Sequence, residues 1–90
     1  GPEIEQALLS HEAVLECGVI GAPDEKRGTI VQAHVVVREG IAPDDELVKS
    51  LQDHVKAVIA PYKYPRSVKF VAEIPKTQTG KIQRFRLKEQ

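Results

Sequence analysis

Alternation of apolar and polar positions is clearest between Val31 and Arg38. Val31, Ala33, Val35 and Val37 fall on one side of an extended chain, and Gln32, His34 and Arg38 on the other, which is the period of two that a strand imposes. Glu39-Gly40 closes this stretch. Val14 to Ile20 also reads as a strand and ends at Gly21-Ala22-Pro23-Asp24, a strong turn signal. Arg66 to Ala72 predicts a third strand, with Val68, Phe70 and Ala72 on one side and Pro75 as its stop. Helical spacing appears in two places. From Glu3 to about Ser10, Ile4, Ala7 and Leu8 stand at i, i+3 and i+4, with Pro2 and two glutamates at the start. From Asp44, a natural cap, Asp45 and Glu46 occupy a first turn that favours acids, and Leu47, Leu51, Val55, Val58 and Ile59 form an apolar stripe. Pro61 ends that helix. A polar loop, Lys76-Thr77-Gln78-Thr79-Gly80-Lys81, precedes a last helical turn at Phe85 to Lys88. The predicted order is helix, strand, strand, helix, strand, loop. It implies an α+β fold in which helices pack on a small sheet of about three strands.

Ninety residues set the scale at one domain, residues 1–90. A chain of this size buries roughly 60–68% of the surface it exposes when unfolded, enough for one modest core. No long apolar run is present, so no transmembrane helix and no membrane partner are expected, and no signal-peptide pattern opens the chain. Cys17 is the only cysteine. An internal disulfide is therefore impossible, which fits a reducing cytoplasm. Net charge is zero, but eight of the thirteen Lys and Arg residues fall after residue 60, with only Glu73 and Glu89 of the thirteen acids. Such segregation is what a surface meeting an anion would have, although on charge alone a solvated basic face is the favoured reading.

Candidate chemistry is sparse. His11, His34 and His54 lie on different predicted elements with no metal-site spacing, and His34 reads as a half-exposed sheet residue. Cys17, in an apolar strand, reads as inert packing. Thr79-Gly80-Lys81 fails as a phosphate-binding P-loop, since Ile82 follows where Ser or Thr is needed. The loop nevertheless combines a glycine that permits close approach, the hydroxyls of Thr77 and Thr79, and Lys81 as a mobile cation suited to phosphate or carboxylate oxygens. Pro61-Tyr62-Lys63-Tyr64-Pro65-Arg66 is a stiff turn with two aromatics and two cations, capable of stacking an adenine and pairing with phosphates. Taken singly, a solvated loop lysine and a rigid helix-to-strand connection account for both segments.

The ordered set of segments resembles the carboxy-terminal domain of the adenylate-forming superfamily, which includes acyl- and aryl-CoA synthetases, luciferases and peptide-synthetase adenylation domains. Glu3-Ile4-Glu5 resembles the family's opening helix. Ser10-His11-Glu12-Ala13-Val14 and Val19-Ile20-Gly21-Ala22-Pro23-Asp24, followed by Arg27-Gly28, resemble its "H-P-x-V … V-x-G-x-P-D" stretch. Ala60 to Arg66 resembles "P-Y-K-x-P-R", and Ile74 to Arg84 resembles "P-K-T-x-[ST]-G-K-I-x-R". Lys76 to Arg84 is more similar to CoA ligases than to peptide-synthetase domains, and together with Tyr62 to Arg66 it most resembles benzoate-type aryl-CoA ligases. Two departures stand out. Glu12 replaces the family's usual proline, and the spacing of Gly1-Pro2 from Glu3 is one residue short, so that pair reads as a cloning remnant.

The resemblance implies the mobile carboxy-terminal domain of an ATP-dependent, AMP-forming acid–CoA ligase. Its substrates would be a carboxylic acid, ATP and CoA. A large amino-terminal domain of the same chain would bind most of the ATP, Mg²⁺ and acid, so these 90 residues alone would be inactive. Lys81 would be the catalytic residue of the adenylation step, with Thr79 and Gly80 shaping its loop. Tyr62, Lys63, Tyr64 and Arg66 would contribute to binding CoA, and no metal ligand is assigned. Two other readings stay open: an adenylation domain that loads a carrier protein, and a small basic binding module without catalysis, although no nucleic-acid motif supports the second.

Overall fold

The computed structural model describes residues 2–90. Its elements are α1 (Pro2–Leu9), β1 (Val14–Asp24), β2 (Gly28–Val37), α2 (Asp45–Val58), β3 (Ser67–Phe70) and α3 (Arg84–Leu87). The sheet has the order β1-β2-β3, as the α+β reading expects. β1 and β2 form an antiparallel hairpin, whereas β3 runs parallel to β2, with Ala33 opposite Val68 and Val35 opposite Phe70. A parallel pair needs a crossover, and α2 supplies it.

Apolar periodicity places α1 and α2 over one face of this sheet. Leu8 of α1 and Leu51 and Val55 of α2 pack with Cys17, Val19, Ala33 and Val35, and Val68 and Phe70 close the margin. Val14 joins the same cluster although an odd residue count separates it from Cys17, because a β-bulge between Val14 and Glu16 resets the alternation. Asp44 caps α2 by accepting the Leu47 N–H at 2.9 Å. The stripe of α2 stops at Val55. Val58, expected to be buried, is 54% exposed, because the helix ends at that residue and only Ile59 turns back onto the core.

Two sequence expectations about strand ends are corrected. The turn expected at Gly21–Asp24 lies later: β1 runs through those residues, pairing Ala22 with Ile30 and Asp24 with Gly28. Asp24 Oδ2 accepts the N–H groups of Lys26 and Arg27 and so turns the chain at residues 25–27. The third strand is shorter than expected, Ser67–Phe70. The other sheet face is not solvated. Ile20 and Val36 are buried there beneath Ile74 and Leu87, with Val71 and Ile82 alongside. The chain after β3 therefore forms a second covering layer. Gly18 leaves room for Leu87 in that layer, since a Cβ at that position would lie 2.8 Å from Leu87 Cδ1.

Burial of this second face explains His34. It is fully buried, not half-exposed, and sits in a directed hydrogen-bond chain. Ser67 Oγ donates to Gln32 Oε1, the Gln32 amide donates to His34 Nε2 at 2.8 Å, His34 Nδ1–H donates to Gln90 Oε1 at 2.9 Å, and the Gln90 amide donates to the Glu73 carbonyl. The imidazole is neutral in this arrangement, because Gln32 occupies its acceptor nitrogen with a donor. Burial depresses the His34 pKa below its ordinary value; the Gln90 contact opposes this and Lys69 adds to it. Burial, and secondarily the charge of Glu5, push the Cys17 thiol up to about 12, which makes it unreactive packing.

Two outcomes are expected for the isolated chain. Since native His34 binds its proton more weakly than the unfolded chain does, stability is full above the unfolded value of 6.5 and falls as pH drops through it towards the native value. Urea denaturation at several pH values should show that slope, and His34→Gln should reduce it, leaving the part contributed by His11, whose pKa burial also lowers. Leu87→Ala empties the fully buried contact over Gly18 and should cost about 2–5 kcal/mol, read from the same denaturation curves.

Candidate functional site

The polar run after Pro75 is a short hairpin. Lys76 and Ile82 form an antiparallel bridge, the Thr77 N–H donates to the Lys81 carbonyl at 2.8 Å, and the Gly80 N–H donates to the Thr77 carbonyl at 3.0 Å. Thr77 Oγ1 also accepts the Lys81 N–H at 3.1 Å and lies 3.0 Å from Thr79 Oγ1. Gly80 turns the tip with φ +85°, a left-handed conformation that a side chain rarely adopts. Both backbone groups of Lys81 are thus held by Thr77, while its side chain is exposed and makes no hydrogen bond or ion pair among the described residues. The arrangement is a free cation on an ordered base.

Each leg of the hairpin is anchored to the body. The Lys76 ammonium pairs with Glu16 of β1, the Gln83 N–H donates to the Pro75 carbonyl at 2.9 Å, and Ile82 packs in the second layer. Arg84 pairs with Glu5 of α1. Sequence reading treated Glu5 only as a helix-start acid, yet it is buried, and its Oε2 also accepts the Val19 N–H at 2.9 Å. The available signal was its place beside Ile4 and three residues before Leu8, at the margin of the apolar stripe of α1.

The turn at Pro61–Arg66 is anchored differently. Pro65 is fully buried, its carbonyl accepts from Gln52 Nε2, and the Arg66 N–H donates to the Val31 carbonyl. Tyr64 packs against the helix-covered core. Lys56 Nζ stands 4.3 Å from its ring centroid and Arg66 Cζ 4.8 Å, and Arg66 donates to its hydroxyl at 2.7 Å. The Tyr64 ring is therefore already engaged, whereas Tyr62 is 76% exposed. Lys63 lies 3.5 Å from Glu3, and with Tyr62, Pro2, Glu3, Ile4 and Val31 it lines a cleft of about 340 Å³. The structure thus brings Tyr62 and Lys63 together and pairs Tyr64 with Arg66. It attaches this turn to one core and the Lys81 hairpin to the other, on opposite faces of the sheet.

The histidines are not as dispersed as their spacing implies. His11 and His54 meet edge to face at 5.1 Å, with His11 Nε2 on Ser50 and His54 Nε2 on Ser10. His11 Nδ1 accepts the Ala13 N–H, and burial, followed by His54, lowers its pKa while Glu12 opposes the shift. The pair joins α2 to the turn after α1. Among the described residues no group of three or more His, Cys, Asp or Glu is placed to hold a metal ion.

Comparison with known proteins bears on this geometry. The family model of the AMP-binding enzyme C-terminal domain matches residues 3–81. An uncharacterized acyl-CoA ligase of Bacillus subtilis, YtcI, is 52% identical over 90 residues, which cover 99% of this chain and 17% of that protein. A Brucella canis acyl-CoA synthetase superposes with a TM-score of 0.90 at 46% identity, over 98% of this chain and 17% of that one. A benzoate CoA ligase from Burkholderia xenovorans does so with a TM-score of 0.87 at 45% identity, over 96% and 17%. The chain spans under a fifth of the length of these relatives. With the motif order, the two-layered sheet and these matches in agreement, the chain belongs to the AMP-binding enzyme C-terminal domain family.

Proposed function

We propose that residues 1–90 are the mobile carboxy-terminal domain of an ATP-dependent, AMP-forming acyl- or aryl-CoA ligase, and that Lys81 is its adenylation lysine. The observation that carries this reading is the Lys81 ammonium, unpartnered among the described residues, on a hairpin whose backbone and both legs are held. In the first step a carboxylate attacks the ATP α-phosphate, giving an acyl-adenylate and pyrophosphate. Negative charge is distributed over the carboxylate and phosphate oxygens as the bond forms. A preorganised cation aimed at that charge is worth about 3–4 kcal/mol, or two to three decades in rate. Thr79 and Gly80 serve by shaping the tip. Mg²⁺ accompanies ATP and is held by the larger amino-terminal domain, together with most of the ATP and acid contacts.

In the second step the CoA thiol displaces AMP to give the thioester. The opposite attachment of the two loops supports a domain that presents one of them at a time. Lys63 and Arg66 are assigned to CoA phosphates, exchanging their present contacts with Glu3 and Tyr64 for phosphate oxygens. Tyr62 offers an open ring beside Lys63, and Tyr64 orients Arg66. The likeness to the benzoate CoA ligase favours an aryl acid, and a cytoplasmic setting completes the reading.

In the full-length parent, Lys81→Ala should reduce pyrophosphate exchange by about two to three decades while thioester formation from supplied acyl-adenylate is largely kept. Survival of both half-reactions would make Lys81 an ordinary surface lysine. Lys63→Ala and Arg66→Ala should each raise the KM for CoA by about tenfold and leave pyrophosphate exchange unchanged, as loss of one charge-assisted phosphate contact requires.

A further inference from the structure

α3 has only four residues, too few to hold a helical turn by itself. Two side chains one turn apart fasten it. Leu87 is apolar and fills the notch over Gly18, and Arg84 is polar and meets Glu5. The Arg84 contact is specific in shape. One guanidinium nitrogen bridges both carboxylate oxygens of Glu5, at 2.5 and 2.7 Å, while Oε2 also takes the Val19 N–H. One buried carboxylate thereby joins α1, β1 and α3. Arg84 is two residues beyond Ile82, where the hairpin closes, so its contact with Glu5 adds to the packing of Ile82 in holding the leg that carries Lys81. The other leg is pinned by Lys76 and Glu16.

We infer that Glu5 and Arg84 are positioning residues for adenylation, holding the Lys81 hairpin at one place on the domain body and acting on the reaction only through Lys81. The inference rests on the adenylation role proposed for Lys81. A free ammonium is effective only if its base is placed to within a fraction of an ångström, since a displacement of about 1 Å can cost about a hundredfold in rate. Removing Arg84 leaves the buried Glu5 carboxylate without its counter-ion, and losing either partner frees α3 from α1 while Leu87 still holds it on β1. The thioester step is assigned to the turn at residues 61–66, with which Arg84 makes no polar contact. Glu5 lies on α1 beside the cleft that Glu3 and Ile4 line, so Arg84 is the partner whose loss should spare that step.

The test uses the full-length parent with Arg84→Met, Arg84→Lys and Glu5→Gln, each with and without Lys81→Ala. Pyrophosphate exchange and thioester formation from supplied acyl-adenylate are measured on the same preparations, the second serving as a check on folding. Arg84→Met should lower the kcat of exchange about tenfold or more with the KM values for ATP and acid nearly unchanged, as misplacement of a group acting in the transition state requires. Arg84→Lys should recover part of that loss, and Glu5→Gln should fall between. In the Lys81→Ala background Arg84→Met should cost nothing further, because the two residues act as a unit. Equal loss of both half-reactions, or an undiminished effect of Arg84→Met without Lys81, would reduce the pair to structural support and overturn the inference. If Lys81→Ala abolishes exchange while Arg84→Met and Arg84→Lys spare it, only the clamp is wrong. If Lys81→Ala itself spares exchange, the Lys81 reading fails and the clamp fails with it.

Discussion

A three-stranded sheet with apolar side chains on both faces must be covered twice, and the rest of this structure depends on that constraint. Two helices cover one face, contributing Leu8, Leu51 and Val55. The other face, with Ile20, Val36 and the buried His34, receives the chain that follows β3. Full burial of Leu87 against Gly18 stabilises that layer by about 1.5–3 kcal/mol relative to an exposed leucine. The hairpin with Lys81 lies between Ile74 and Leu87, both buried there, so its location follows from the covering of the sheet.

The buried side-chain polar groups are satisfied. No buried side-chain nitrogen or oxygen lacks a hydrogen-bond partner among the described residues. The Ser67–Gln32–His34–Gln90–Glu73 chain and the Glu5 carboxylate do most of this, each bridging elements distant in sequence. In a low-dielectric interior such networks specify one arrangement, because any alternative strands a donor or an acceptor. The cations of the two candidate loops differ in their pairing. Lys76, Lys63 and Arg84 are each paired with a carboxylate, and Arg66 with a tyrosine. Lys81 stays unpaired among the described residues and is available to an anionic ligand.

Much of this was legible in the residues. The alternation at 31–38 located β2, and Asp44 with the stripe from Leu47 to Ile59 located α2, because both are local patterns enforced by backbone geometry. The helix, strand, strand, helix, strand order was enough to imply a small α+β sheet, and the ordered motifs from Glu3 to Arg84 were enough to imply the family. Errors fell where a local signal met a non-local competitor. Gly21-Ala22-Pro23-Asp24 has turn chemistry, but pairing with β2 extended β1 through it. Val58 has the right spacing for the stripe, but the helix ends at that residue with its side chain in solvent.

The sequence by itself determined most of the elements, the apolar faces of the helices, the polar loop that holds Gly80 and Lys81, and the family, since each depends on the order of residues within short windows; that the loop closes as a hairpin was decided by the fold. Only the tertiary structure decided that the sheet is buried on both faces and that His34 lies inside. It alone joined His11 to His54 and divided the four residues Tyr62, Lys63, Tyr64 and Arg66 into two pairs. The same holds for the meeting of Glu5 with Arg84, 79 residues apart. The physical reason is that partnership across such separations is chosen by packing and by the cost of leaving a buried polar group unpaired, and neither quantity exists until the chain has folded.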